Sequence, residues 1–272
     1  MDQLFQALVM GVVQGLTEFL PISSSGHLVL VPYLLGWSDP FIKSLAFSVV
    51  VSAGTLAALL VYFREDWLAL IPAFFASLRD RSIGDDPDRR LAWLLVIATV
   101  PAALIALVLN DFIDRNTRTP GIVAILLVVG GAILWAADRW GPRTHTIERL
   151  ATRGAAGIGL AGAGPVQRRL PIRHLHLGRP VRRPGPRGAA RFSFLMATPI
   201  TTLAVGYEHS SSSRAISRAP SPALIVGIVA AFVSGMLAIE VLLRYVRTRS
   251  YSVFVAYRLV LAAVVLAVFL TP

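Results

Sequence analysis

The residues best suited to chemistry in this sequence are Gln14, Glu18 and the run Pro21-Ile22-Ser23-Ser24-Ser25-Gly26-His27. Gln14 and Glu18 are four positions apart, so a helix puts them on one face. Pro21 disfavours helix at Leu20 and ends the first segment. Ser23 to Gly26 then bring three hydroxyls and a pliable backbone to the start of a second apolar helix. The first turn of that helix offers N–H groups and a positive dipole end, which suits a phosphate. His27 stands at the same start and can move a proton near neutral pH. Diphosphate chemistry needs an anion cradle, a proton-transfer group and an acid that orients water or metal. All three residue types converge on this one helix break. The competing reading, Glu18 near the membrane interface with the serines merely capping a helix, leaves Gln14 and His27 without a role.

The elements that must position these residues are hydrophobic spans. Ser44–Phe63, Leu91–Leu109, Pro120–Ala137, Pro222–Leu243 and Val253–Leu270 are apolar on all faces, as expected of helices in lipid. Gly130-Gly131, Gly227, Ser234 and Gly235 offer small surfaces for close packing. Two further stretches read as interrupted: Leu4–Leu35, broken at Glu18 and Pro21–His27, and Phe192–Gly206, which is short and holds Pro199. Backbone at membrane depth stays unpaired only where protein or a wet cavity surrounds it. Paired breaks in the two halves of a chain point to a buried site between inverted repeats. The expected fold is therefore all-α, a polytopic integral membrane protein with inverted repeats and two re-entrant helix regions, forming a single membrane domain over 1–272. Loops are expected at Arg79–Arg90, Asn110–Thr119, Asp138–Arg153 and Glu208–Pro220.

Composition agrees with membrane residence. The chain is 55% hydrophobic and 15% charged, with a mean hydropathy of +0.67; a soluble surface needs more charge than that. Cysteine is absent, which excludes a disulfide framework, a thiolate nucleophile and a cysteine metal site. Met1 to Leu20 carries Asp2 and Glu18 but no basic residue, so it is expected to belong to the mature protein. The formal charge of +11 is local: seven arginines and no acid fall between Arg168 and Arg187, and without them the balance is +4. That cluster lacks interleaved aromatics, so no nucleic-acid partner is expected, whereas headgroup contact is. His174 and His176 have no further ligands and read as loop residues, not a metal pair. Ser210–Ser213 reads as a flexible loop, and Tyr257 and Arg258 as interface anchors.

On the residues Gln14, Glu18 and Pro21–His27 the chain resembles the undecaprenyl-diphosphate phosphatase, or bacitracin-resistance protein, family. The family's first signature is an acid or amide four residues before a glutamate, then Pro-x-Ser-Ser-Ser/Thr-Gly-His, and it stands here intact. The likeness extends to Gly54-Thr55 with the apolar run to Tyr62-Phe63-Arg64. It includes Arg191-Phe192-Ser193-Phe194-Leu195 with Pro199, and Ser252, Phe254, Tyr257 and Arg258. It implies hydrolysis of undecaprenyl diphosphate to the monophosphate, recycling the carrier lipid of cell-wall synthesis in the bacterial inner membrane. It also implies two re-entrant helix pairs meeting at the site. Glu18, His27 and Ser24 are then the catalytic candidates, with Ser24 or His27 as nucleophile, or His27 as acid/base beside phosphate-binding serines. Gln14, Ser23, Ser25, Gly26 and Arg173 are candidates for binding the polyprenyl diphosphate. Gln14 and Glu18 would hold a divalent cation, Mg or Ca. A homodimer is a further candidate partner. A polyprenyl-phosphate transporter or flippase, or an inactive lipid-binding member, is the alternative from another class, since broken helices in inverted repeats also build transporters. A purely structural membrane protein fits the clustered polar residues least.

The chain departs from the family pattern twice. Between Phe47 and Gly54, where the family has an acid and a His or Gln, this sequence has Ser48 and Ser52. The second signature, Pro-Gly-x-Ser-Arg-Ser-Gly, should lie between Leu160 and Arg191, but residues 162–187 are Arg/Pro/Gly-rich and foreign to their surroundings. Codons CTC-CCG-ATC-CGG-CAT-CTC-CAT-CTC-GGC spell Leu170 through Gly178. Read one base later, they spell Ser-Arg-Ser-Gly-Ile-Ser-Ile-Ser. Codons for Pro184 to Arg187 can likewise hide Leu-Asp-Arg-Glu. The hypothesis is a pair of compensating frame changes, one near Ala161–Pro165 and one near Gly188; an uninterrupted gene with other codons would remove it. Arg173 lies near the missing arginine's place, but Pro171, Ile172 and His174 do not rebuild a serine-rich cradle around it.

Overall fold

Pro21 does what its ring dictates. In the computed structural model, which describes residues 3–116, 119–140, 188–216, 222–246 and 249–270, helix α1 (Gln3–Phe19) stops just before it and α2 (Ser24–Leu34) begins three residues after it. The intervening Ser23 has φ 74° and ψ 89°, a left-handed conformation that costs a non-glycine residue about 1–3 kcal/mol. Then come α3 (Leu45–Tyr62), α4 (Arg64–Arg79), α5 (Pro87–Asn116), α6 (Pro120–Trp140), α7 (Gly188–Ile216), α8 (Pro222–Tyr245) and α9 (Ser252–Leu270). Ser44 caps α3, its hydroxyl accepting the Phe47 N–H at 3.1 Å, so one orphan donor of the first turn is satisfied.

Four of these helices, α3, α6, α8 and α9, are long and apolar enough to cross a membrane, and the protein is an all-α multi-pass membrane protein. Side-chain size is sorted accordingly. Along α8, Val229, Val233, Leu237 and Val241 are exposed at four-residue spacing, while Gly227, Ala231, Ser234, Gly235 and Ala238 face inward. Large apolar groups meet lipid and small ones meet helices, because the bilayer supplies no hydrophobic force between helices and close packing must hold them.

That inner face of α8 receives α1 and α3. A Cβ on Gly15 would lie 2.5 Å from the Ala231 carbonyl oxygen and 2.6 Å from the Gly235 nitrogen; one on Gly54 would lie 2.5 Å from the Ile228 oxygen. These are backbone atoms and cannot swing aside. Gly15→Ala is therefore expected to cost about 3 kcal/mol through forced helix separation, read as a lower melting temperature in detergent; an unchanged transition would refute the contact.

Around this three-helix seam lie three apolar clusters. Phe19, Leu59, Phe63, Phe194 and Ile239 fill one, with Phe19 edge-on to Phe194 at 5.8 Å. Met10, Phe47, Val51 and Ala231 fill a second. Leu30, Val123, Leu127, Ala262 and Val265 form a third, joining α2 to α6 and α9. Polar ties sit at the helix ends: Arg191 pairs with Asp66, and the Tyr62 hydroxyl donates to Glu240.

The sequence reading needs correction in several places. Phe192–Gly206 is not interrupted; it lies inside the continuous α7, with Pro199 within the helix. A proline removes one backbone bond there, and neighbouring helices keep the span intact. Helix also runs through most of the expected loops Asn110–Thr119 and Glu208–Pro220, ending at Asn116 and Ile216. Helix α4 was not anticipated because Glu65, Asp66 and Pro72 dilute its apolar pattern. The break at Leu20–Ser23 is present, but the counterpart expected within Phe192–Gly206 is not; residues 162–187 fall outside the described residues.

Candidate active site

Four elements bring polar groups to the break between α1 and α2. The last turns of α1 place Gln14 and Glu18 on one face, where the Gln14 Nε2 donates to the Glu18 carboxylate at 2.9 Å. The same nitrogen donates to the Ser52 hydroxyl of α3 at 3.2 Å, and Ser52 donates to the Ser48 carbonyl at 2.9 Å. Of the two serines that replace the family's larger polar residues, Ser52 thus still serves the site, while the Ser48 hydroxyl turns to the Ser44 carbonyl at 3.2 Å. From the start of α2, Ser24 lies beside the Glu18 carboxylate. Gln14 is 1% exposed, and its Oε1 is buried without a hydrogen-bond partner. An orphaned carbonyl oxygen beside a carboxylate is a hard donor pair of the kind a divalent cation takes.

On the other side of the break stands His27, 5% exposed. Its Nδ1 lies 2.7 Å from the Ser23 carbonyl oxygen and its Nε2 lies 2.8 Å from the Tyr257 hydroxyl. A carbonyl only accepts, so Nδ1 carries the proton and Nε2 receives the tyrosine's. The two rings stack at 5.6 Å and 10°. Next along α9, Arg258 donates from Nε to the Pro21 carbonyl at 2.7 Å, capping the break's exposed backbone with a cation. Room for this side chain comes from Gly130 of α6, where a Cβ would collide with the Arg258 guanidinium.

Of the residues singled out from sequence, Gln14, Glu18 and Ser24 form one connected group, and His27 with the Ser23 carbonyl forms a second. Ser25 is exposed and joins neither group. Gly26 is buried, and a side chain there would press on the Ser23 hydroxyl and on Val123, each 3.1 Å from its Cβ. Ser23 makes no side-chain cap to α2, leaving the helix start open to an outside acceptor. Arg173, His174 and His176 lie outside the described residues. Tyr257 and Arg258 are more than interface anchors, since both bind the break directly. The signal that could have found them was a lone arginine inside an otherwise apolar span, a functional candidate by default.

The family model for bacitracin resistance protein BacA matches residues 7–164 and 183–264. The undecaprenyl-diphosphatase of Gemmatimonas aurantiaca is 43% identical over 275 residues, covering 97% of this chain and 97% of that protein. Those of Myxococcus xanthus and Desulforudis audaxviator are 38% and 37% identical, over 98% and 97% of this chain and 90% and 97% of their own lengths. The stretch that the family model skips, 165–182, falls inside the Arg/Pro/Gly-rich segment.

Proposed function

Because the chain belongs to the bacitracin resistance protein BacA family, we propose that it hydrolyses undecaprenyl diphosphate to undecaprenyl phosphate and inorganic phosphate. The protein is a membrane hydrolase of cell-wall lipid recycling, and the polyprenyl tail stays in the bilayer while the diphosphate enters the break. The single observation that carries the reading is the Gln14–Glu18–Ser24 group at a helix start within the membrane. Relatives over nearly its full length are named for this hydrolysis, which favours it over a transporter. The same likeness supports a place in the bacterial plasma membrane.

Roles follow from the contacts. Ser24, held against Glu18, is the nucleophile: its oxygen attacks the terminal phosphorus and Glu18 takes its proton. The bond to the bridging oxygen breaks, and that oxygen leaves with the lipid monophosphate. Water then cleaves the phosphoserine, returning the hydroxyl and releasing phosphate. His27 moves protons at its Nε2 face. The α2 N-terminus and the Arg258 guanidinium, beside the break, balance phosphate charge, the main task in phosphoryl transfer.

A divalent cation fits the donors. Among the described residues no three His, Cys, Asp or Glu side chains cluster, so the protein offers one carboxylate, Glu18, and the neutral Gln14 Oε1. That short set suits Mg, which keeps several waters and takes its remaining ligands from substrate phosphates. When bound, the cation would supply charge neutralisation at the phosphate oxygens.

The test is phosphate release from polyprenyl diphosphate by the purified protein in detergent micelles. His27→Ala is expected to lower kcat by about 10²–10³, the usual worth of a positioned acid/base. A fully active His27→Ala protein would refute its role.

A further inference from the structure

Both ring nitrogens of His27 are engaged before any substrate arrives, and one partner comes from the far end of the chain. We propose that Tyr257 is a positioning residue for His27: its hydroxyl holds the Nε2 side of the imidazole in place and remains its partner when Nε2 takes up a proton. The inference rests on the acid/base reading of His27 above.

The Ser23 carbonyl accepts twice, from the His27 backbone N–H at 3.2 Å and from the imidazole at 2.7 Å. Ser23 aims that carbonyl from a left-handed backbone, so the strained residue is also the one that fixes Nδ1. With Nδ1–H committed, the ring's reactive lone pair is Nε2, and Nε2 meets Tyr257. A hydroxyl suits this place better than any other neutral group. It donates to the neutral imidazole and, by rotating, accepts from the imidazolium, so neither protonation state is left unpaired in a buried setting. A serine or amide reaching the same nitrogen could do this too, but without the flat ring lying parallel to the imidazole at 5.6 Å. Stacking and hydrogen bond together stop the imidazole from turning about its side-chain bonds. Arg258, the next residue, ties α9 to Pro21 on the opposite side of the break. The two neighbours therefore grip α2 and the α1 end at once, and α9 sets the distance between them.

Tyr257→Phe removes the hydroxyl alone, since phenylalanine keeps the stacked ring, and Tyr257 is 43% exposed, so folding is expected to survive. The experiment uses the full chain in micelles with ¹⁵N-histidine labelling, the His27 signals being assigned by their loss in His27→Ala. In the unsubstituted protein the nitrogen shifts should report one Nδ1–H tautomer. In Tyr257→Phe the Ser23 carbonyl still holds the Nδ1 proton, so the tautomer should persist while the Nε2 shift moves with the loss of the accepted hydrogen bond. The kcat should fall about tenfold, the worth of one hydrogen bond, with KM within about twofold, since ground-state binding is untouched. Adding Tyr257→Phe to His27→Ala should cost nothing more. A Tyr257→Phe protein with unchanged kcat and an unchanged Nε2 shift would overturn the proposal, as would an equal loss on the His27→Ala background. A fully active His27→Ala protein would remove the acid/base reading as well, and so tells the two failures apart.

Discussion

Glu18→Gln is expected to lower phosphate release by about 10³-fold while leaving the protein at least as stable as before. The two halves of this expectation come from one fact, the carboxylate's place at the end of an apolar helix with Gln14 and Ser24 as its partners. A charge taken out of water is costly in a membrane segment and persists where function requires it. Glutamine has the same length, and its amide oxygen can still accept from the Gln14 Nε2 at the 2.9 Å contact. Packing against α8 and α3 is therefore preserved, and the charge is gone. Melting in detergent should rise or stay level, as happens when an active-site residue is traded for a comfortable one. Catalysis should collapse, because an amide can neither take the Ser24 proton nor help to hold a cation. KM should change less than kcat if Glu18 acts mainly in the transition state. A Glu18→Gln protein that releases phosphate at a normal rate would remove the proposed site. One that melts far lower would show that the carboxylate holds the helices together instead.

Local chemistry was readable in the sequence wherever the signal was itself local. The α1–α2 break follows from Pro21 and the serine run, the Gln14–Glu18 contact from a spacing of four, and the spans from unbroken apolar stretches. The helix ends were less legible. Asn110 to Asn116 and Glu208 to Ile216 look like loops by polarity, yet helix continues through them, because helix hydrogen bonds do not depend on which face meets water. The grip of Tyr257 and Arg258 on the break was signalled only by a lone arginine in an apolar span, which does not say what it reaches. It joins residues 230 and 237 positions apart, and no pattern within α9 distinguishes an anchoring Tyr-Arg pair from one that reaches into a site. The small-residue stripe of α8 announced close packing without naming α1 and α3 as what packs there. Which helix meets which is decided by the whole set of packed surfaces, and periodicity carries only one surface at a time.

Restoring the second signature is expected to raise kcat by about 10²–10³-fold over the chain as it stands. The family match runs to residue 164 and resumes at 183, so similarity stops and starts within the segment where a one-base shift recovers Ser-Arg-Ser-Gly. The gap in amino-acid similarity and the codons that could encode the segment point to the same place, and the gene's own nucleotides decide it. The missing residue matters more than its count suggests. An arginine presents a planar fork of donors that can grip two phosphate oxygens at once, and a displaced one imitates that poorly. The described site already offers one carboxylate, one amide, hydroxyls and Arg258, whose Nε is spent on the Pro21 carbonyl. It lacks a second cation free to follow charge onto the leaving oxygen, a contribution that can reach about 10³ or more in phosphoryl transfer. The measurement compares the chain as it stands with one in which residues 162–187 are re-encoded in the shifted frame, and with a third in which the recovered arginine is replaced by lysine. The re-encoded protein should be fast and its lysine version slow. Equal rates in all three would mean that the segment lies away from the chemistry, and a gene whose codons cannot yield Ser-Arg-Ser-Gly in any frame would remove the premise before any assay.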